Sequence, residues 1–322
     1  MQFSGEMQKY VEKDGIKSMS RGIGLTLIGY FLVMTGWSFI YLKIAAVFGL
    51  NIKQSLSLAA DPMGENILQV IVSLIMVLVP SLVFCRVSFK KPSQVMSFSK
   101  PKGRILSIFA AGLGFCYFAS AATEIAGSFF EEMGISVPSP EIQDPEGIFG
   151  FLMSVIVTAL IPALIEEFSM RGIVMGVLRK YGDGFAIICS AVTFGLMHAS
   201  AEQMPFAALV GLALGFVAVK TGSLWVSVAI HAANNLLCVL FSYASKIFEA
   251  ATYNYIEIGV NVVILLAFIV GVCDISAHDD DFFSLPVAET TLKEREKLLA
   301  FFISPAFIFA SVVAIMIAIF LR

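Results

Sequence analysis

Three short strings carry the chemistry open to this chain: Ile165-Glu166-Glu167-Phe168-Ser169-Met170-Arg171, Phe194-Gly195-Leu196-Met197-His198 and His231-Ala232-Ala233-Asn234-Asn235. They hold two of its three histidines and a pair of adjacent carboxylates, each inside a stretch hydrophobic enough to cross a bilayer. An ionisable group at the bilayer centre costs on the order of 2.5–3.5 kcal/mol on insertion scales, so it persists where it lines a cavity and acts there. A carboxylate beside an imidazole can activate water. An imidazole beside an amide can donate to the oxyanion that forms when water attacks an amide carbonyl.

Spacing divides these roles. Glu167 and Arg171 are four apart, share a helix face and can neutralise each other. Glu166 projects about 100° away and keeps no such partner. His231 and Asn235 are also four apart and present donors from one face. The reading gives water activation to Glu166 with His198, and oxyanion stabilisation to His231 with Asn235. His198 and Glu202 form a rival pair at the same spacing, but Glu202 lies beside Gln203 and Pro205, where a solvated helix cap is expected.

Helices must bring these residues to one depth. If Gly182-Asp183-Gly184 turns an antiparallel hairpin, Glu166 and His198 each lie about 14 positions, hence about 21 Å, from it. Measured from Thr221-Gly222-Ser223, Asn235 is about 12 positions along the next helix, with His231 one turn closer to the turn. The estimate assumes a helix that continues past Pro162 and Gly172.

The composition supplies those helices. Hydrophobic residues make up 58% of the 322 and charged residues 14%, with a mean hydropathy of +0.88, far outside the range of a soluble domain. The expected fold is all-α, a polytopic transmembrane bundle of about 8–9 spans. Candidates lie near 22–48, 66–85, 104–127, 147–170, 184–201, 205–220, 224–245, 254–273 and 300–321. The organisation expected is 1–146 as a cytosolic N-terminal segment with scaffold spans, 147–245 as the core bearing the motifs, and 246–322 as C-terminal spans around a polar loop at 274–299. All lysines and arginines except Lys43, Lys53, Lys246 and Arg322 then fall on the side of the N-terminus, which the positive-inside rule makes cytosolic. This describes a multi-pass protein of the cell membrane.

Other features carry less. Cys85, Cys116, Cys189, Cys238 and Cys273 are scattered without C-x-x-C spacing and read as packing residues. His278 stands beside Asp279-Asp280-Asp281, read as a solvated loop, and the stretch from Glu289 to Lys297 reads as a short surface helix. No nucleotide or haem fingerprint is visible, and nothing points to nucleic acid.

The three strings resemble the CPBP family of intramembrane proteases, also called the Abi family. It includes the endopeptidases that trim CAAX prenyl proteins and bacterial members linked to bacteriocin processing or self-immunity. The family pattern reads here as Glu166-Glu167-x-x-x-Arg171, Phe194-x-x-x-His198 and His231-x-x-x-Asn235, complete and in order over about 150–245. The resemblance implies a CAAX protease-like hydrolase acting on a peptide or membrane-protein substrate in lipid, with Glu166, His198, His231 and Asn235 catalytic and Glu167, Arg171 and Phe194 shaping the site.

The family is commonly labelled metalloprotease, and a Glu/His/His set could hold zinc. H-E-x-x-H is absent, however, and Arg171 beside the carboxylates disfavours a dication. The expectation is therefore metal-independent glutamate chemistry, with a zinc-dependent protease as one alternative. A non-catalytic immunity or partner-binding membrane protein is another. A proton-coupled transporter is disfavoured by the absence of an internal repeat.

Overall fold

The computed structural model describes residues 5–47, 74–88, 98–132 and 146–320, with residues 51, 53, 64, 70 and 71 between the first two stretches. Every regular element among them is helical, with no strand. Lipid offers backbone groups no partner, so each span must close its own hydrogen bonds. In chain order the helices are α1 (Gly5–Val47), α2 (Val79–Ser88), α3 (Ile105–Glu132), α4 (Gly147–Tyr181), α5 (Asp183–Met197), α6 (Gln203–Thr221), α7 (Leu224–Ile247), α8 (Ala250–His278), α9 (Glu294–Phe302) and α10 (Pro305–Phe320).

Among the described residues six helices are long and apolar enough to cross a membrane: α1 as far as Gly36, α3, α4, α6, α7 and α8. The pair α9–α10, bent by 66°, makes a seventh if it counts as one span. That is fewer than the eight or nine expected. The candidate at 184–201 is α5, whose 15 residues reach only about 22 Å of a hydrocarbon layer about 30 Å thick. Of the candidate at 66–85, residues 66–69, 72 and 73 fall outside the described residues, while Leu74–Leu78 and the start of α2 within it are helical.

Two glycines let α5 lie against α6. A Cβ on Gly195 would meet the Met204 carbonyl oxygen at 2.6 Å, and one on Gly211 would meet the Ala191 Cα at 2.9 Å. Small residues at such crossings let backbones approach, the usual source of packing between helices in lipid. Ser190 Oγ donates to the Met170 carbonyl at 3.0 Å and ties α5 to α4.

The flanking helices complete the same core. Ile16, Ile23 and Phe31 of α1 and Phe307 and Ala314 of α10 belong to one buried cluster with Met170, Ile173, Phe185 and Phe194. From α9, the fully buried Lys297 donates from Nζ to the Tyr181 carbonyl at 2.6 Å and pairs with Glu294. It thereby satisfies a carbonyl at the end of α4, where the helix dipole favours a cation. Glu12 of α1 accepts from Thr291 N at 2.8 Å just before α9. The stretch expected to be a surface helix is thus a half-sunk clamp, with Lys297, Ala300 and Phe301 buried.

The expected polar loop at 274–299 is also shorter. α8 runs to His278, and Asp274 within it is held by Arg104 and Ser107. His278 Nδ1 donates to the Asp274 carbonyl at 2.8 Å.

Candidate active site

α4 is the helix on which the site is built, and its winding is uneven. α-Helical turns at Gly147–Ser154 and Ile161–Glu167 alternate with π-wound turns at Val155–Leu160 and Phe168–Met175. Pro162 accounts for the first wide turn. It has no N–H for the carbonyl four residues back, and its ring crowds that carbonyl, so the winding opens. The residue four back is Thr158, and its carbonyl accepts from Asn235 Nδ2 at 3.1 Å. Asn234 Nδ2 in turn donates to Asn235 Oδ1 at 3.3 Å.

One turn beyond Pro162 the adjacent carboxylates diverge. Glu167 is fully buried, and its Oε1 accepts from Arg171 Nη1 at 2.7 Å, with both side chains at most 1% exposed. The same oxygen meets His231 Nδ1 at 3.0 Å. Arg171 also donates from Nη2 to the Gly211 carbonyl at 3.4 Å and lies 4.5 Å from the centre of the Phe194 ring. Glu166 is 18% exposed, and its Oε2 stands 3.8 Å from His231 Nε2. His231 is therefore set between two carboxylates, one neutralised by a guanidinium and the other not.

His198 follows the last turn of α5, where Ala199 at φ 45° turns the chain away. Its Nδ1 lies 2.9 Å from the Phe194 carbonyl, and donation there leaves Nε2 of a neutral ring as an acceptor. Phe194 packs edge-on against both imidazoles, with ring centroids 4.8 Å from His198 and 6.0 Å from His231.

The structure thus brings Glu166, Glu167, Arg171, Phe194, His198 and His231 into one connected group, with Asn235 one turn further along α7. Glu166 comes within 4 Å of the His231 imidazole, and His198 joins the group through Phe194. The rival Glu202 occupies the N-cap position of α6, without a side-chain cap hydrogen bond. Sequence reasoning missed Thr158, Gly195 and Gly211. Pro162 four residues after Thr158 marks a freed carbonyl, and Gly211 with Gly215 forms a G-x-x-x-G pattern, so both signals were present.

The group can place a carboxylate, two imidazoles and an amide around a reacting carbonyl. As a metal cage it fits poorly. Among the described residues no three His, Cys, Asp or Glu side chains gather as a cation-binding set. The Glu167 oxygen nearest His231 already carries the Arg171 guanidinium, which would repel a dication.

Comparison with known proteins covers the same part of the chain. Residues 148–237, from the start of α4 to the middle of α7, match the family described as "Type II CAAX prenyl endopeptidase Rce1-like". "Putative membrane peptidase YdiL" of Bacillus subtilis (strain 168) is 26% identical over 220 residues, covering 66% of this chain and 87% of the relative. No solved structure matches the chain. All three strings lie inside the matched stretch, so the likeness to the Rce1-like type II CAAX prenyl endopeptidases covers the part of the chain that builds this group.

Proposed function

We propose that this membrane peptidase hydrolyses peptide bonds of membrane-associated or lipidated peptides or proteins, and that Glu166 takes a proton from the attacking water. The observation that carries this is the asymmetry of the two glutamates. Arg171 pairs with buried Glu167 at 2.7 Å, while Glu166 is partly exposed and stands 3.8 Å from an imidazole.

In this scheme water is held by Glu166 and by Nε2 of His198, which the Phe194 carbonyl orients through Nδ1. The water oxygen bonds to the substrate carbonyl carbon as its proton passes to Glu166. The oxyanion so formed accepts from the N–H of Asn235 not bonded to Thr158 and from Nε2–H of His231, which this scheme takes as the imidazolium because its Nδ1–H already donates to Glu167. When the intermediate collapses, the C–N bond breaks and the proton returns from Glu166 to the leaving amine. Glu167 holds His231 by Nδ1, and Arg171 holds Glu167. No step is routed through a metal.

The basic end of the bundle, with Lys102, Arg104, Arg179, Lys180 and Lys220, faces the cytosol in this reading. A panel of quenched fluorescent peptides, with and without a C-terminal prenylcysteine motif, offered to purified enzyme and to Glu166→Gln tests the proposal. Cleavage of at least one class by the wild type only is expected. Equal cleavage by both proteins refutes the role of Glu166.

A further inference from the structure

Two cavities adjoin at the basic end, away from the peptidase group. One, of about 550 Å³, is rimmed by Lys102, Arg104, Lys220, His278 and Asp279. The other, of about 560 Å³, is an apolar slot between α3, α5, α6 and α8 that reaches past Ala213 to Phe115 and Phe268. Ile108, Ile275 and Phe282 line both, so the two meet at these three side chains. From Ile108 to Phe115 the slot runs about 10 Å along α3.

The polar rim carries an excess of positive charge. Arg104 is committed to Asp274 through two hydrogen bonds. Lys220 donates to the Asp281 backbone carbonyl at 2.9 Å, which leaves its charge uncancelled. Lys102 is exposed, and its ammonium has no ion pair among the described residues. Two lysines therefore face one lining carboxylate, Asp279, while Asp280 and Asp281 lie outside the lining.

A polar chamber of net positive charge over a narrow hydrocarbon slot, both between membrane-spanning helices, matches an amphiphile with an anionic head. Basic pockets between spans at a membrane surface bind such head groups. We propose that the two cavities form a site for one anionic phospholipid, its phosphate between Lys102 and Lys220 and one acyl chain in the slot. Acyl chains are already in hydrocarbon before they bind, so the slot contributes packing and the lysines contribute the selectivity.

The test uses the full chain, delipidated in detergent, with phosphatidylglycerol or phosphatidylcholine of identical chains added and bound lipid read by native mass spectrometry. With each lysine contributing about fivefold toward an anionic head, phosphatidylglycerol should be retained preferentially. Lys102→Gln should lose about fivefold of that preference, and Lys102→Gln/Lys220→Gln nearly all of it. Ala213→Phe, which places a ring in the slot, should reduce retention of both lipids, and millimolar inorganic phosphate should displace neither. Equal retention of the two lipids by the wild type would mean a generic hydrocarbon slot and overturn the proposal. Unchanged retention in Ala213→Phe, or displacement by phosphate, would leave a head-group site alone and overturn it too. Lys102 lies outside any helix, so an undiminished phosphatidylglycerol preference in Lys102→Gln is decisive even if the Lys220 variant fails to fold.

Discussion

The same substitution at two neighbouring positions should have opposite consequences. Glu167→Gln removes the charge that meets Arg171 at 2.7 Å, where both side chains are at most 1% exposed. Breaking a buried pair by removing one partner costs about 3–5 kcal/mol, because the remaining ion stays buried without compensation. The amide oxygen of Gln can still accept from Arg171, so a loss near the lower end, about 3 kcal/mol, is expected. Glu166→Gln breaks no short hydrogen bond among the described residues, where its ring-nitrogen neighbour, His231 Nε2, stands 3.8 Å away, and should cost less than about 1 kcal/mol. Cleavage should respond in the reverse order, abolished in Glu166→Gln and reduced but measurable in Glu167→Gln. Reversible unfolding in mixed micelles titrated with a denaturing detergent gives the stabilities, and a quenched peptide gives the rates. As a control, Glu167→Leu/Arg171→Leu should be more stable than Glu167→Gln, because replacing an entire buried pair by apolar residues is often neutral. Equal destabilisation at 166 and 167, or wild-type turnover by Glu166→Gln, refutes the division of labour.

Other consequences can be checked with the same preparations. Asn235→Ala should slow cleavage about 10²–10³-fold while retaining some, as removal of a single oxyanion donor does; single-turnover kinetics measure it. Pro162→Ala restores an N–H that competes with Asn235 for the Thr158 carbonyl, so the rate should fall about fivefold, the worth of one hydrogen bond, without loss of thermal stability. His198→Ala should abolish cleavage in a protein that still inserts and elutes normally, and wild-type rates would reassign the base's partner. Activity should survive prolonged treatment with a strong chelator, whereas silencing by the chelator and rescue by Zn²⁺ would transfer water activation to a metal. Cysteine probes at Val287 and Ser139 should be labelled from the cytosolic and outer sides respectively, and the reverse pattern would invert the topology.

Much of the site was legible because its rules are local. The four-residue spacings of Glu167 with Arg171 and of His231 with Asn235 fix which groups share a face, and hydropathy fixes that the faces lie in lipid. What spacing cannot give is the partner across a helix boundary. It left open that His231 would stand between Glu166 and Glu167, and that Asn235 would look to a backbone carbonyl of α4. Pro162, read as a threat to helix continuity, instead frees that carbonyl. The span count is lower among the described residues for a related reason. Hydropathy registers α5 as apolar, but length is set by where turns fall, and Gly182 and Ala199 close α5 at 15 residues. Lys297 was misplaced on a surface because nothing in its neighbourhood announces a buried carbonyl 116 residues earlier in the chain.

That lysine sets an order of events in the life of the protein. The end of α4 is secured by a group translated 116 residues after it, which at ordinary synthesis rates is roughly 6–23 s later. During that interval the helix carrying Glu166 and Glu167 is already in the membrane, but its terminal carbonyl has no ammonium to meet. α1, made before α4, waits longer still for its Glu12 to engage the segment before α9. Closure of the bundle thus joins segments translated far apart, and a ribosome stalled before Lys297 would leave the candidate reactive groups inserted and their scaffold unlatched.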